Sequence, residues 1–123
     1  ETLKAQGKTL VEHYVDLVLK QFDTIRHFGN LLVLDGYFGI STFVNPVVDS
    51  LGIHLISCLR ANAVLHYLPE LTVRKRGRPR KKGMRLDWEN PDEGKLPLVQ
   101  SDNEKRIRSG KVYVKALRRT VLL

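Results

Sequence analysis

The sequence predicts an α/β fold: helix, strand, helix, strand with the two strands parallel, followed by a basic loop and a small β-rich or irregular region. Three observations carry this. Apolar residues recur at helical spacing over 10–28 and again over 41–51. Each of those stretches is followed by a short apolar run of strand character, 31–34 and 53–59. Seven bases then crowd into nine residues, 74–82.

Leu10, Val11, Tyr14, Val15, Val18, Phe22, Ile25 and Phe28 fall at three- and four-residue steps and form one broad apolar stripe, so 10–28 reads as one helix. Gly29 and Asn30 stop it. Leu31-Leu32-Val33-Leu34 is apolar at every position, which predicts a strand buried on both faces. Over 41–51, Phe43, Val44, Val47, Val48 and Leu51 predict a shorter helix, capped by Ser41 or by Asn45, with Pro46 at its first position in the second case and Gly52 at its end. Residues 53–59 form the second strand, and a connection through a helix makes the pair parallel with a right-handed crossover. Residues 61–68 read as a short helix. From about Thr72 to Gly83 the chain is a basic loop marked by Gly and Pro. Residues 84–106 are polar and irregular or part of a β region, 111–116 alternate weakly, and 121–123 begin a further strand.

The chain has 123 residues, 42% of them hydrophobic, and a net charge of +8. That is one domain's worth of chain, too apolar to be wholly disordered and without a stretch long enough to cross a membrane. Without the bases of 74–82, 14 bases face 13 acids, so the charge belongs to one segment. Such a segment meets a polyanion, most often nucleic acid. The single cysteine, Cys58, excludes an internal disulfide and a cysteine zinc site and fits a reducing compartment. The first residues lack a basic head and apolar core, no initiator Met is present, and the chain stops within an apolar run, so we read an internal piece of a longer protein.

The basic run comprises Arg74, Lys75, Arg76, Arg78, Arg80, Lys81 and Lys82 around Gly77 and Pro79. Its Arg-Gly-Arg-Pro centre resembles an AT-hook core: Gly and Pro keep the chain thin enough for a narrow A·T minor groove, whose enhanced negative potential attracts Arg. The alternative is a solvated loop that touches phosphates or nothing. Asp35 directly follows the first strand, at the carboxyl edge where open α/β sheets gather ligands, although Asp-Gly at a strand end is also an ordinary turn. Arg60 lies at the same edge and either touches a phosphate or pairs with Asp35 or another acid. Asp16 and Asp23 fall on the wet side of the first helix, and Asp49 lies near a helix end. Asp87, Glu89, Asp92 and Glu93 balance neighbouring bases. His54 and Cys58 share a strand face and read as core residues rather than as a metal site. No P-loop, dinucleotide fingerprint or nucleophile elbow is present.

Taken in order, Leu32-Val33-Leu34-Asp35-Gly36-Tyr37-Phe38, then Phe43 to Pro46, then Leu51 to Leu65 and the Arg76 to Gly83 segment resemble the middle of bacterial insertion-sequence transposases with a DDE catalytic domain. The likeness covers roughly residues 31–83. It implies a partial ribonuclease-H-like fold, with 1–70 as the central part of the catalytic domain and 71–123 as the basic loop and an inserted β region. It further implies a triad of two Asp and one Glu that holds two Mg²⁺ or Mn²⁺ ions for in-line attack on phosphodiesters. Asp35 matches the second Asp, and so is the catalytic and metal-ligating residue of this chain. The first Asp would lie upstream of Glu1 and the Glu downstream of Leu123. Glu104 is rejected for that role because it sits in a polar stretch. The 123 residues alone would then be inactive, and the parent would act on double-stranded DNA at transposon ends, as a homodimer in the bacterial cytoplasm at the nucleoid.

A rival from another class is a non-catalytic DNA-binding module, a remnant of a decayed element that works through its basic loop. An RNA-associated basic protein is disfavoured because no aromatic residues are interleaved with the bases of 74–82, as base stacking requires.

Overall fold

A computed structural model describes residues 3–70 and 77–123. The chain is mixed α/β and forms two compact units, Glu1–Ala61 and Asn62–Leu123.

In the first unit a single 3₁₀ turn, Leu3–Gln6, precedes helix α1, Leu10–Lys20. Thr9 starts α1 with a full capping box: the Thr9 backbone N–H and hydroxyl both donate to the Glu12 carboxylate, and the Glu12 N–H donates to Thr9 Oγ1. The helix expected over 10–28 is in fact two. The chain breaks at Gln21, whose N–H is shared between the carbonyls of Leu17 and Val18, and resumes as α2, Phe22–Phe28. Strand β1 is Leu31–Leu34, helix α3 is Ser41–Leu51 and strand β2 is His54–Ser57.

Helix α3 differs from expectation at its start. Ile40 stands at the cap position, its carbonyl accepts from the N–H groups of Phe43 and Val44, and no side chain caps the helix, so neither Ser41 nor Asn45 does. Pro46 therefore lies inside the helix, where it offers no N–H to the carbonyl of exposed Thr42 one turn back. Gly52 closes the helix by donating to Val48 O, as its position in the sequence predicts.

Strands β1 and β2 pair in parallel, with Leu31 opposite His54 and Leu34 opposite Ser57. Val15 of α1, with Phe43, Val47, Leu51 and Ile53, makes a buried cluster, and Leu32 and Leu34 pack against it from one face of the sheet. The opposite face is open. Val33 is 68% exposed and Ile56 53%, and Leu31, His54 and Cys58 are exposed as well. The strand expected to be buried on both faces is thus covered on one, because α1 and α3 pack on the same side. His54 and Cys58 are surface residues of that open side, not core residues.

The second unit is built from antiparallel strands: β3 Leu65–Tyr67, β4 Leu98–Ser101, β5 Arg106–Arg108, β6 Lys111–Val114 and β7 Arg119–Leu122. Strands β3, β6 and β7 form one sheet in that order, and β4 and β5 form a separate hairpin. The helix expected over 61–68 is replaced by a turn and β3, because Leu65 and Tyr67 point to one buried face and pair with Val114 and Val112. Leu86, Leu96 and Leu117 are also buried in this unit. Tyr67 keeps its hydroxyl satisfied by accepting the Asp92 N–H at 2.7 Å.

Candidate functional site

Two places collect the residues singled out by the sequence, one in each unit. In the first unit, Asp35 follows β1 directly and heads a 3₁₀ turn, Gly36–Phe38. Its carbonyl accepts from the Phe38 N–H and from Ser57 Oγ, which ties the end of β1 to the end of β2. The two chain segments approach closely there: a Cβ on Gly36 would lie 2.9 Å from the Cys58 carbonyl oxygen, so only glycine fits without displacing backbone. The Asp35 side chain is exposed and makes no hydrogen bond or ion pair with any described residue. Arg60 is exposed beyond the same ends of the parallel strands and forms no ion pair with Asp35.

Among the described residues no three His, Cys, Asp or Glu side chains gather as metal ligands. Asp35 is one carboxylate, and a two-metal centre needs several from separate segments. These residues therefore do not by themselves fit a metal pair, and no metal-dependent step is derived from them.

In the second unit, Arg74, Lys75 and Arg76 lie outside the described residues. Arg78, Arg80, Lys81 and Lys82 are all exposed. No described carboxylate pairs with any of the four. Three acids elsewhere in the unit are in ion pairs: Glu70 and Asp92 with Lys95, and Glu93 with Arg108 at 3.1 Å. The Glu70 carboxylate raises the pKa of Lys95 and keeps it cationic. Asp102 accepts from the backbone N–H groups of Glu104 and Lys105, which hold its carboxyl below the usual range and close the β4–β5 turn. Glu104 sits in that turn.

The basic run ends on a fixed anchor. Gly83 donates its N–H to Tyr67 O at 2.8 Å, Tyr67 donates to Met84 O, Leu86 donates to Leu65 O, and His66 bridges to Arg85, so 83–86 line the free edge of β3. His66 Nδ1 lies 3.2 Å from Gly83 O. A Cβ at Gly83 would meet the Leu68 carbonyl oxygen at 2.6 Å, which makes glycine the residue that permits this approach.

That anchor brings the loop to a residue the sequence reading missed. Arg80, Lys81, Lys82 and Gly83 line a surface depression of about 490 Å³ together with Tyr113 of β6. Strand alternation puts Lys111 on the same face as Tyr113, opposite buried Val112 and Val114, and exposed Lys115 follows in the turn after the strand. Tyr113 is about thirty positions from the basic run, and only strand pairing makes it a neighbour. The alternating pattern of 111–116 was the available signal.

No helix among the described residues is long and apolar enough to cross a membrane. No protein-family model, curated protein or solved structure matches the chain.

Proposed function

We propose that this chain is a central portion of a DDE transposase with a ribonuclease-H-like catalytic domain, in which residues 74–82 hold DNA and Asp35 is one of three metal-binding carboxylates. The observation that carries the reading is the placement of Asp35. It is an exposed carboxylate with no partner among the described residues, at the carboxyl end of a parallel strand pair, followed in chain order by a basic run of the transposase pattern. Phosphodiester transfer needs metal to offset charge and bases to hold the polyanion, and this order supplies a part of each.

In this reading the parent protein cuts and joins transposon ends with Mg²⁺ or Mn²⁺, acting as a homodimer on double-stranded DNA at the nucleoid, and the 123 residues alone bind DNA without cutting it. In the full-length parent, Asp35→Ala abolishes nicking of element ends in Mg²⁺ while leaving end binding intact; nicking that survives overturns the catalytic assignment. In the isolated chain, Arg76→Ala with Arg78→Ala weakens duplex binding and lowers the slope of log affinity against log salt by about 2, close to one for each phosphate no longer neutralised. An unchanged slope removes the loop from the interface.

One observation favours the second reading, a DNA-binding module without catalysis. Sixteen of the 21 bases lie in the second unit, which contains no predicted catalytic residue. A parent sequence with no acid on an upstream strand and no Glu on a downstream helix decides for that reading.

A further inference from the structure

We propose that the depression lined by Arg80, Lys81, Lys82, Gly83 and Tyr113 seats one unpaired nucleotide of a DNA strand, with its phosphate among the three cations and its base against the Tyr113 ring. The inference rests on the DNA-binding reading and specifies which form of DNA this surface prefers.

Duplex DNA presents phosphates to a protein surface but keeps its base faces stacked inside, so contact with duplex alone requires exposed cations and no ring. Here a ring is present. Tyr113 is half-buried in the depression and held by β6 between β3 and β7, with Lys111 on its own strand face and exposed Lys115 in the turn that follows. None of Arg80, Lys81, Lys82, Lys111 and Lys115 is paired to a described carboxylate, so all five are available to a polyanion. An aromatic platform set in a basic groove is the arrangement that single strands use, since every base offers a π-face for stacking. The volume of about 490 Å³ suits one small ligand and falls in the usual range of about 300–1,000 Å³ for such sites.

The seat is also preorganised. The Gly83 N–H bond to Tyr67 O and the contact of His66 with Gly83 O fix the end of the basic run beside the sheet that carries Tyr113. The backbone at that end of the run is then ordered before binding, which spares part of the usual cost. The interleaving of aromatic and basic residues that 74–82 lack in sequence is thus restored in space by strand pairing.

The test is fluorescence anisotropy of the whole chain with a labelled oligothymidylate and with a duplex of equal length, at one ionic strength. Tyr113→Leu keeps the bulk of a strand residue and removes the π-face. It is expected to weaken oligothymidylate binding about 5- to 100-fold, the usual effect of losing one stacked base, and to leave duplex binding unchanged. Tyr113→Phe keeps both. Retained duplex binding shows that the variant is folded. A Tyr113→Leu variant that loses nothing on oligothymidylate, or falls equally on both, overturns the proposal. Lys81→Ala with Lys82→Ala separates the two levels. If it weakens both DNA forms while Tyr113→Leu weakens neither, the nucleotide seat fails and DNA binding stands. If it weakens neither, the DNA-binding reading itself fails.

Discussion

The first unit holds five of the chain's 21 bases and six of its 13 acids, whereas the second holds sixteen and seven. Their surfaces differ in the same sense. The first packs α1 and α3 on one side of a parallel pair and leaves Leu31, Val33 and Ile56 open on the other. The second covers the apolar face of β3 and β6 and shows outward a face of Lys111 and Tyr113 beside the basic run. The first unit exposes Asp35 at the end of a parallel pair, and the second exposes cations around a ring. The net charge of +8 is therefore a property of the second unit, where the described end of the basic run, Arg80 to Gly83, adjoins Tyr113 of the sheet.

The sharpest way to break this comparison is to destroy one unit and ask whether the other keeps its function. Phe43 is buried at the centre of the first unit, tilted against Phe38 with ring centroids 4.9 Å apart. Phe43→Ala leaves a cavity that costs about 3–5 kcal/mol, a large share of a typical domain's stability. Every α-helix among the described residues lies in the first unit, so ellipticity at 222 nm reports it selectively. The helical signal is expected to melt at lower denaturant while DNA affinity stays at its wild-type value. If affinity falls in step with the helical signal, the assignment of DNA binding to the second unit is wrong.

An intermediate effect is expected from Gly83→Ala, which alters no charge. The new Cβ would come within 2.6 Å of Leu68 O, so residues 83–84 must leave the edge of β3 and give up the Gly83–Tyr67 and Tyr67–Met84 hydrogen bonds. Each such bond is worth about 0.5–1.5 kcal/mol net. Faster hydrogen exchange at the Tyr67 and Gly83 amides is the direct readout, accompanied by weaker binding to DNA and no change at 222 nm. Unaltered DNA affinity with those amides deprotected would mean that the loop acts through its charges alone, and that anchoring beside Tyr113 is irrelevant.

The comparison also separates what was legible in the sequence from what was not. The parallel pair and α3 were legible, because local period, Gly52 and the Leu31–Leu34 run all agree. The open face of β1 was not. A run apolar at every position describes both sides of a strand, whereas its cover depends on where distant helices pack. Strand β3 was hidden for a related reason: three residues are too few for alternation to show, and its partner Val112–Val114 lies more than forty positions away. The break at Gln21 sits inside an unbroken helical stripe and leaves no mark in the pattern. In the candidate site the bases and Asp35 stood out as residue types. Tyr113 did not, since an aromatic residue in a short strand resembles ordinary core until the strand's register assigns it to the outer face.

The smallest effect concerns how the first unit responds to acid, and its sign follows from the capping box. The Thr9 backbone N–H, and after it the Thr9 hydroxyl, donate to the Glu12 carboxylate and hold it below the usual glutamate range. The Lys8 ammonium acts likewise on Asp16 one turn further on. A carboxyl lowered in the folded state stabilises the fold above its unfolded pKa, and that contribution is lost as pH falls through the folded value. The loss therefore begins as pH falls through the ordinary carboxylate range and is complete only below it. Thr9→Ala removes the hydroxyl and costs about 1 kcal/mol at neutral pH. Part of that cost is the hydroxyl's bond to ionised Glu12, so the gap between wild type and Thr9→Ala should narrow as Glu12 is protonated. It should not close, because Thr9 Oγ1 still accepts the Glu12 N–H at 3.3 Å. Denaturant melts at 222 nm, at neutral pH and at pH 3, measure it. A gap of constant size would place the whole value of Thr9 in its bond to the backbone and none in the charge of Glu12.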